Sequence, residues 1–231
     1  MSRIPALAFL SAAALCATAL SPSAQAGDIY LTAFGGLSLQ RDQSSLRTDN
    51  STFEAARMDF DPGFVVGGAV GYRFDNFGFG NVRVEAELSY RENSIDSGFI
   101  TSQPGALFTG DNSSMAGMAV VYYDFTDISR RFVPYVGLGA GLAGVESDVY
   151  FTNGTGGRTE FGGPTDTEFA WQAIVGMAIP ITERFDFTVD GRFYSTGRPD
   201  WLTVTENGNA TGRFRSEFDA WHLNAGVRFK F

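Results

Sequence analysis

The chain has 231 residues, a formal net charge of −9 and a single cysteine; 44% of it is hydrophobic, 14% aromatic and 19% charged. The excess of 26 acidic over 17 basic residues argues against a nucleic-acid partner, and the aromatic content argues against disorder. No stretch beyond residue 20 approaches the roughly 18 consecutive apolar residues of a membrane helix, which leaves an ordered β protein, secreted or membrane-bound.

The first segment reads as a targeting signal. Arg3 supplies a short positive region, Ile4 to Leu20 is nearly all apolar or small, Ser21-Pro22-Ser23 breaks the run, and Ala24-Gln25-Ala26 is an A-x-A cleavage site. Residues 1–26 are therefore expected to be a secretory signal peptide cut after Ala26. A retained anchor is the alternative, against which stand the shortness and alanine content of the run. Leu15 before Cys16 does not fit a lipoprotein signal. Removing 26 of 231 residues leaves a 205-residue domain, 27–231, without cysteine. Disulfide, thiol-nucleophile and thiolate-metal chemistry are thereby excluded.

The rest of the chain alternates. Side chains of a strand point to opposite faces with period two, so an apolar/polar alternation marks a strand with two different environments. Such segments fall at 28–40, 63–74, 81–92, 114–125, 132–145, 167–180, 185–195 and 217–231. Val82, Val84, Ala86, Leu88 and Tyr90 oppose Arg83, Glu85, Glu87, Ser89 and Arg91. Phe185, Phe187, Val189, Gly191 and Phe193 oppose Asp186, Thr188, Asp190, Arg192 and Tyr194. Trp221, Leu223, Ala225, Val227, Phe229 and Phe231 oppose His222, Asn224, Gly226, Arg228 and Lys230. Each segment has about the length of a tilted strand crossing a bilayer. Connections 41–62, 93–113, 146–166 and 196–216 are long and polar, whereas 75–80, 126–131 and 181–184 are short. Long and short connections alternating between eight strands predict an all-β, eight-stranded antiparallel up-and-down transmembrane barrel, with short turns and both ends periplasmic and long loops outside.

A soluble β-sandwich also alternates, but it has no reason to alternate its loop lengths or to edge an apolar belt with aromatics. Tyr72, Phe74, Phe77, Phe79, Phe125, Phe132, Phe185, Phe229 and Phe231 fall near the predicted periplasmic rim, and Phe64, Tyr90, Phe169, Trp171, Phe193 and Trp221 near the opposite one. Aromatic rings favour such interfaces.

Three stretches, Val82-Arg-Val-Glu-Ala-Glu-Leu-Ser-Tyr-Arg91, Val121-Tyr-Tyr-Asp-Phe125 and Pro134-Tyr-Val-Gly-Leu-Gly-Ala-Gly141, resemble the small outer-membrane β-barrel proteins of the OmpA-like and surface-antigen (opacity-type, porin-like) group of alphaproteobacteria. The terminal Gly226-Val-Arg-Phe-Lys-Phe231 is similar to the assembly signal of such proteins, in which Phe229 and Phe231 would be read by the barrel-assembly machinery. The resemblance implies a Gram-negative outer-membrane location, contact with outer-membrane lipid and lipopolysaccharide, and a role as structural protein, surface antigen, adhesin or occasional narrow pore. The sequence stops at Phe231, without the periplasmic peptidoglycan-binding domain of full-length OmpA, so cell-wall tethering is not expected.

An eight-stranded barrel is only just wide enough for its own side chains, whereas a general porin needs about 16 strands. Sharing 205 residues among about 16 strands would leave under 13 for each strand and its connection, which is too few. Parity sends Arg73, Arg83, Arg91, Arg192, Arg228 and Lys230 inward, together with Glu85, Glu87, Asp124, Asp186 and Asp190: six cations against five anions. Enclosed charges should pair, because an unpaired one is costly to desolvate. Asp186 is expected near Arg228 and Lys230, and Arg83 near Asp124. A plugging ion-pair network is the leading expectation, and a water-filled path lined by the same charges its rival. Gly67, Gly71, Gly137, Gly139, Gly141 and Gly226 would permit curvature and make room for large inward neighbours. Gly137-x-Gly-x-Gly141 sits within a strand and is not a dinucleotide motif.

Other chemistry is weakly supported. His222 is the single histidine, is expected to point inward near the outer mouth, and has Asp219, Glu217 and Ser216 close in sequence. A lipid-modifying enzyme would need a nucleophile and a base in hydrogen-bond reach, which the sequence does not establish, so no enzyme, metal or cofactor is expected. One imidazole makes no zinc cluster. Asp42, Asp49, Asp59, Asp61, Glu146, Asp148 and Asp166 match no calcium loop. Arg198, Trp201, Arg213 and Arg215 give the fourth long loop a basic and aromatic character that would suit lipopolysaccharide phosphate or a host or surface ligand, with a surface loop that has no specific partner as the favoured alternative.

Overall fold

The computed structural model describes the backbone of residues 29–41, 43–49, 52–100, 107–129, 131–152, 158–197, 200–205, 210–215 and 219–231, and the side chains of 29–41, 61–75, 78–94, 110–129, 131–146, 165–197 and 219–231. The expected signal peptide and its cleavage site lie outside the described residues.

In chain order the strands are β1 (Ile29–Gln40), β2 (Gln43–Asp49), β3 (Thr52–Phe60), β4 (Gly63–Phe77), β5 (Gly80–Ile100), β6 (Leu107–Asp124), β7 (Val133–Thr152), β8 (Arg158–Pro180), β9 (Phe185–Thr196), β10 (Asp200–Thr205), β11 (Ala210–Arg215) and β12 (Asp219–Lys230). Eight of them, β1, β4, β5, β6, β7, β8, β9 and β12, pair antiparallel in that order, and β12 returns to β1 to close an up-and-down barrel. Closure satisfies every ladder without leaving an edge, the condition for a sheet to survive in lipid. Short connections gather at one end, beside Ile29 and Phe231, whose backbones are joined by a 3.2 Å hydrogen bond from Phe231 N to Ile29 O. This is the turn end.

The two faces of the barrel invert the usual soluble pattern. Leu31, Val70, Val121, Leu138, Val175 and Leu223 are exposed on the outside. Arg83, Glu85, Glu87, Asp124, Asp190 and Arg192 are buried within. Phe74, Phe79, Phe132, Phe185 and Phe231 stand exposed toward the turn end, and Phe64, Phe169, Trp171 and Trp221 toward the other. An apolar outer band flanked by aromatic girdles is the surface a bilayer requires.

Interior aromatic rings are accommodated by glycines across the strand. Tyr30 faces Gly71, Phe34 faces Gly67, Tyr122 faces Gly137 and Tyr135 faces Gly176. A Cβ on Gly71 would strike the Tyr30 ring, and one on Gly137 would come to 2.6 Å from the Tyr122 ring, closer than side chains can pack. Each ring stands over bare backbone, which is how four large rings fit inside a narrow barrel.

The long connections are not irregular loops. β5, β6, β7 and β8 run well past the expected strand ends, and 43–49, 52–60, 200–205 and 210–215 form further strands. β8 has 23 residues, about twice what a crossing needs. The outer parts pair β2–β3, β3–β5, β10–β8, β10–β11 and β11–β2. Together with β5, β6, β7 and β8 these strands close the sheet a second time, above the first ring. The expectation of loops at 41–62, 93–113, 146–166 and 196–216 is corrected on this point. Backbone amides above the bilayer still need partners, and hairpin pairing supplies them even where neither face has to be apolar.

Candidate functional site

The barrel interior gathers the charged residues in layers. Nearest the turn end, Lys230 Nζ donates to Asp186 Oδ1 at 2.8 Å, and Arg228 Nη1 lies 3.5 Å from Asp186 Oδ2. The pairing follows from register, since Arg228 stands directly opposite Asp186.

One layer further out, Arg83 is 1% exposed. Its Nε donates to Asp124 Oδ2 at 2.7 Å, and its Nη1 to Glu85 Oε1 at 2.7 Å and to the Tyr30 hydroxyl at 3.0 Å. Tyr30 in turn donates to Glu85 Oε1 at 2.7 Å. The guanidinium stands 4.3 Å from the Tyr122 ring centroid and 5.3 Å from that of Tyr135, so aromatic faces replace part of the lost hydration.

The next layer is built on Arg192. Its Nε and Nη2 grip Asp190 at 2.6 and 3.3 Å, and its Nη1 reaches Glu87 Oε2 at 2.7 Å. The bidentate fork is the stronger form of such contacts. Tyr135 donates to Asp190 Oδ2 at 2.9 Å, Asn224 Nδ2 to Asp190 Oδ1 at 3.1 Å, and Gln172 Nε2 to Glu87 Oε1 at 3.2 Å. These bonds join β5, β7, β8, β9 and β12 across the lumen.

Two residues expected in the network are not joined to it, and that expectation is corrected. Arg73 stands at the rim, where its Nε donates to exposed Asp75 at 2.8 Å. Its cross-strand neighbour is Arg83, and two cations side by side repel, which favours the outward local partner. Arg91 is fully interior, yet no described carboxylate lies within ion-pair distance of it; its Nη2 donates to Ser89 Oγ at 2.6 Å and its guanidinium stacks 3.5 Å from the Tyr194 ring centroid.

His222 is 4% exposed, faces inward and lies 5.8 Å from the Tyr194 ring. No described side chain hydrogen-bonds its Nε2; Ser216 and Glu217 lie outside the described residues. Phe229 and Phe231 form an aromatic cluster with Phe185 at the turn end, with centroids 5.0 Å apart for Phe185–Phe229 and 5.1 Å for Phe229–Phe231. Arg198 lies outside the described residues. The backbones of Trp201, Arg213 and Arg215 belong to the β10–β11 pair, where Asp200 faces Arg215 and Leu202 faces Arg213.

The network also uses Asn224, which parity places inward, and the neutral partners Tyr30, Tyr122, Tyr135 and Gln172, which a count of charges does not pick out. Parity carried the cue: Tyr122 shares a face with Asp124, and Tyr135 shares one with Gly137.

Comparison with known proteins agrees with the geometry. The family model for the outer membrane protein beta-barrel domain matches residues 7–229. An outer membrane protein of Gluconacetobacter diazotrophicus is 30% identical over 194 residues, which is 78% of this chain and 50% of that protein; the chain spans about half the length of this curated relative. Among solved structures, the outer membrane protein OprG from Pseudomonas aeruginosa is similar with a TM-score of 0.56 at 12% identity, covering 89% of this chain and 96% of that one. A major outer membrane protein from Thermus thermophilus gives 0.51 at 10% identity, covering 88% and 99%. At such identities the likeness concerns the fold.

Proposed function

The chain belongs to the outer-membrane β-barrel protein family and resides in a Gram-negative outer membrane, and from that premise we propose that it is a non-conducting, non-catalytic structural protein whose outer hairpins serve as an interaction surface. The observation that carries this reading is the filled lumen. Arg83, Glu85, Glu87, Asp124, Asp190 and Arg192 are each at most 7% exposed and are bonded to one another and to tyrosines from opposite walls. An eight-stranded barrel has little room beyond its own side chains, and here that room holds a cross-linked polar core. The lipid-facing belt anchors the protein among lipid and lipopolysaccharide, the terminal aromatic strand is the part offered to the barrel-assembly machinery, and the β10–β11 hairpin, whose sequence includes Trp201, Arg213 and Arg215, is the part offered to a surface ligand.

Single-channel recording of the refolded protein in a planar bilayer tests the proposal, with heat-dependent gel mobility as the folding control. Folded protein without reproducible current steps is the expected result. Discrete, stable steps that change when Arg83 or Glu85 is reversed in charge would replace it with a narrow channel for ions or small solutes.

A further inference from the structure

Above the Arg192 layer, the interior changes character. Arg91 is 1% exposed and, like every arginine, cannot shed its charge. Its Nε and Nη1 have no hydrogen-bond partner. The nearest carboxylate layer is already engaged, since Glu87 accepts from both Arg192 and Gln172. Stacking on Tyr194 covers a face of the guanidinium but leaves its in-plane donors unanswered. Around it the orphans continue. His222 Nε2, both amide atoms of Gln40 and Asn112 Oδ1 are buried without partners. These groups belong together: Tyr194 touches both Arg91 and His222, Asn112 is one inward position beyond Ser114, which pairs with Arg91, and Gln40 is one inward position beyond Ser38, which pairs with His222. A buried cation left unpaired is costly, and buried polar groups normally have partners.

We propose that the outer half of the barrel interior binds a small monovalent inorganic anion of the chloride class on Arg91. Arg91 has no described carboxylate within ion-pair distance, and its two free in-plane donors suit one small anion. Gln40, Asn112 and His222 are each at most 7% exposed, so the occupant is enclosed, which favours a bare halide over a phosphate ester or an organic acid. The imidazole and amide groups supply neutral hydrogen-bond donors around the ion, once their tautomers and flips are set by it.

The test uses the full folded protein in detergent or nanodiscs. Crystals grown with bromide in place of chloride should show an anomalous peak against the Arg91 guanidinium. The thermal midpoint should rise with chloride when gluconate, too large to enter, keeps ionic strength constant, because a ligand of the native state stabilises it by mass action. Arg91→Met should lose that dependence altogether. Should this variant fail to fold, the bromide peak and the chloride dependence of the parent decide the matter on their own. Absence of the peak would mean that water alone fills the site. A peak without a chloride-dependent midpoint would mean binding at crystal concentration only. Either result would overturn the proposal.

Discussion

Replacing Arg83 by methionine keeps an apolar stem and removes the guanidinium with its charge and donors. In the parent, Arg83 donates to Asp124, Glu85 and Tyr30 at 2.7 to 3.0 Å, and those carboxylates are 4% and 7% exposed. Removing one side of a buried ion pair costs about 3–5 kcal/mol, because the stranded charge stays desolvated. Two carboxylates are stranded here, so the upper part of that range applies, limited by protonation of one of them. The Arg83→Met, Glu85→Gln, Asp124→Asn triple variant strands nothing, and should return to within roughly 1–2 kcal/mol of the parent. Urea unfolding from lipid vesicles, followed by tryptophan fluorescence and gel mobility, measures both. If Arg83→Met cost less than about 1 kcal/mol, its partners would be hydrated as surface pairs are. The lumen would then be wet, and the argument for a closed barrel would fail with it.

The aromatic seats make a second prediction. Gly71→Ala and Gly137→Ala should each destabilise by about 1–3 kcal/mol, as overpacking does, whereas Gly117→Ala, whose added Cβ meets nothing within 4 Å, should be neutral or gain up to about 1 kcal/mol; the same unfolding assay compares them. On the outer face, Leu138→Arg should cost about 2–4 kcal/mol near the middle of the bilayer, and Ile181→Arg, beside a turn, about 0–1 kcal/mol. Equal costs for the two would displace the belt from where the exposed apolar residues put it. Exchanging Asp186→Lys should leave Lys230 and Arg228 without their anion, lowering stability in the same assay while Arg73→Met, whose partner Asp75 is exposed, changes it by under about 1 kcal/mol.

The membrane ring was legible because lipid imposes a strict pattern on it. Between Val82 and Arg91, each outward position had to be apolar and each inward one could be charged, so parity alone assigns faces and depth. At the turn end, β7 begins at Val133 and β9 at Phe185, within a residue of the expected starts, while β4 runs to Phe77, three residues past the expected end at 74. The outer ends were lost because the pattern fades above the bilayer. Ser44-Ser-Leu-Arg-Thr48 carries no hydropathy rhythm, although its backbone pairs with β3. Inside the barrel, charge drew attention and neutral polarity did not. Tyr30 and Gln172 also hydrogen-bond into the network, yet an aromatic near a strand end reads first as a girdle residue. Arg91 shows the limit of counting charges: parity placed it in the lumen, but only the three-dimensional arrangement shows that its layer contains no described anion.

The double closure of the sheet restricts how anything can be recognised at this surface. Many proteins capture a peptide by adding it as a strand to a free sheet edge, and a barrel offers no such edge. Here the ring outside the membrane is closed as well as the ring within it. Its weakest seam lies between β2 and β11, where Arg213 opposite Thr48 is the single described residue pair. A partner that binds by strand addition has that one seam to enter. Any other partner must read side chains, since the ladders already occupy the backbone groups of both rings.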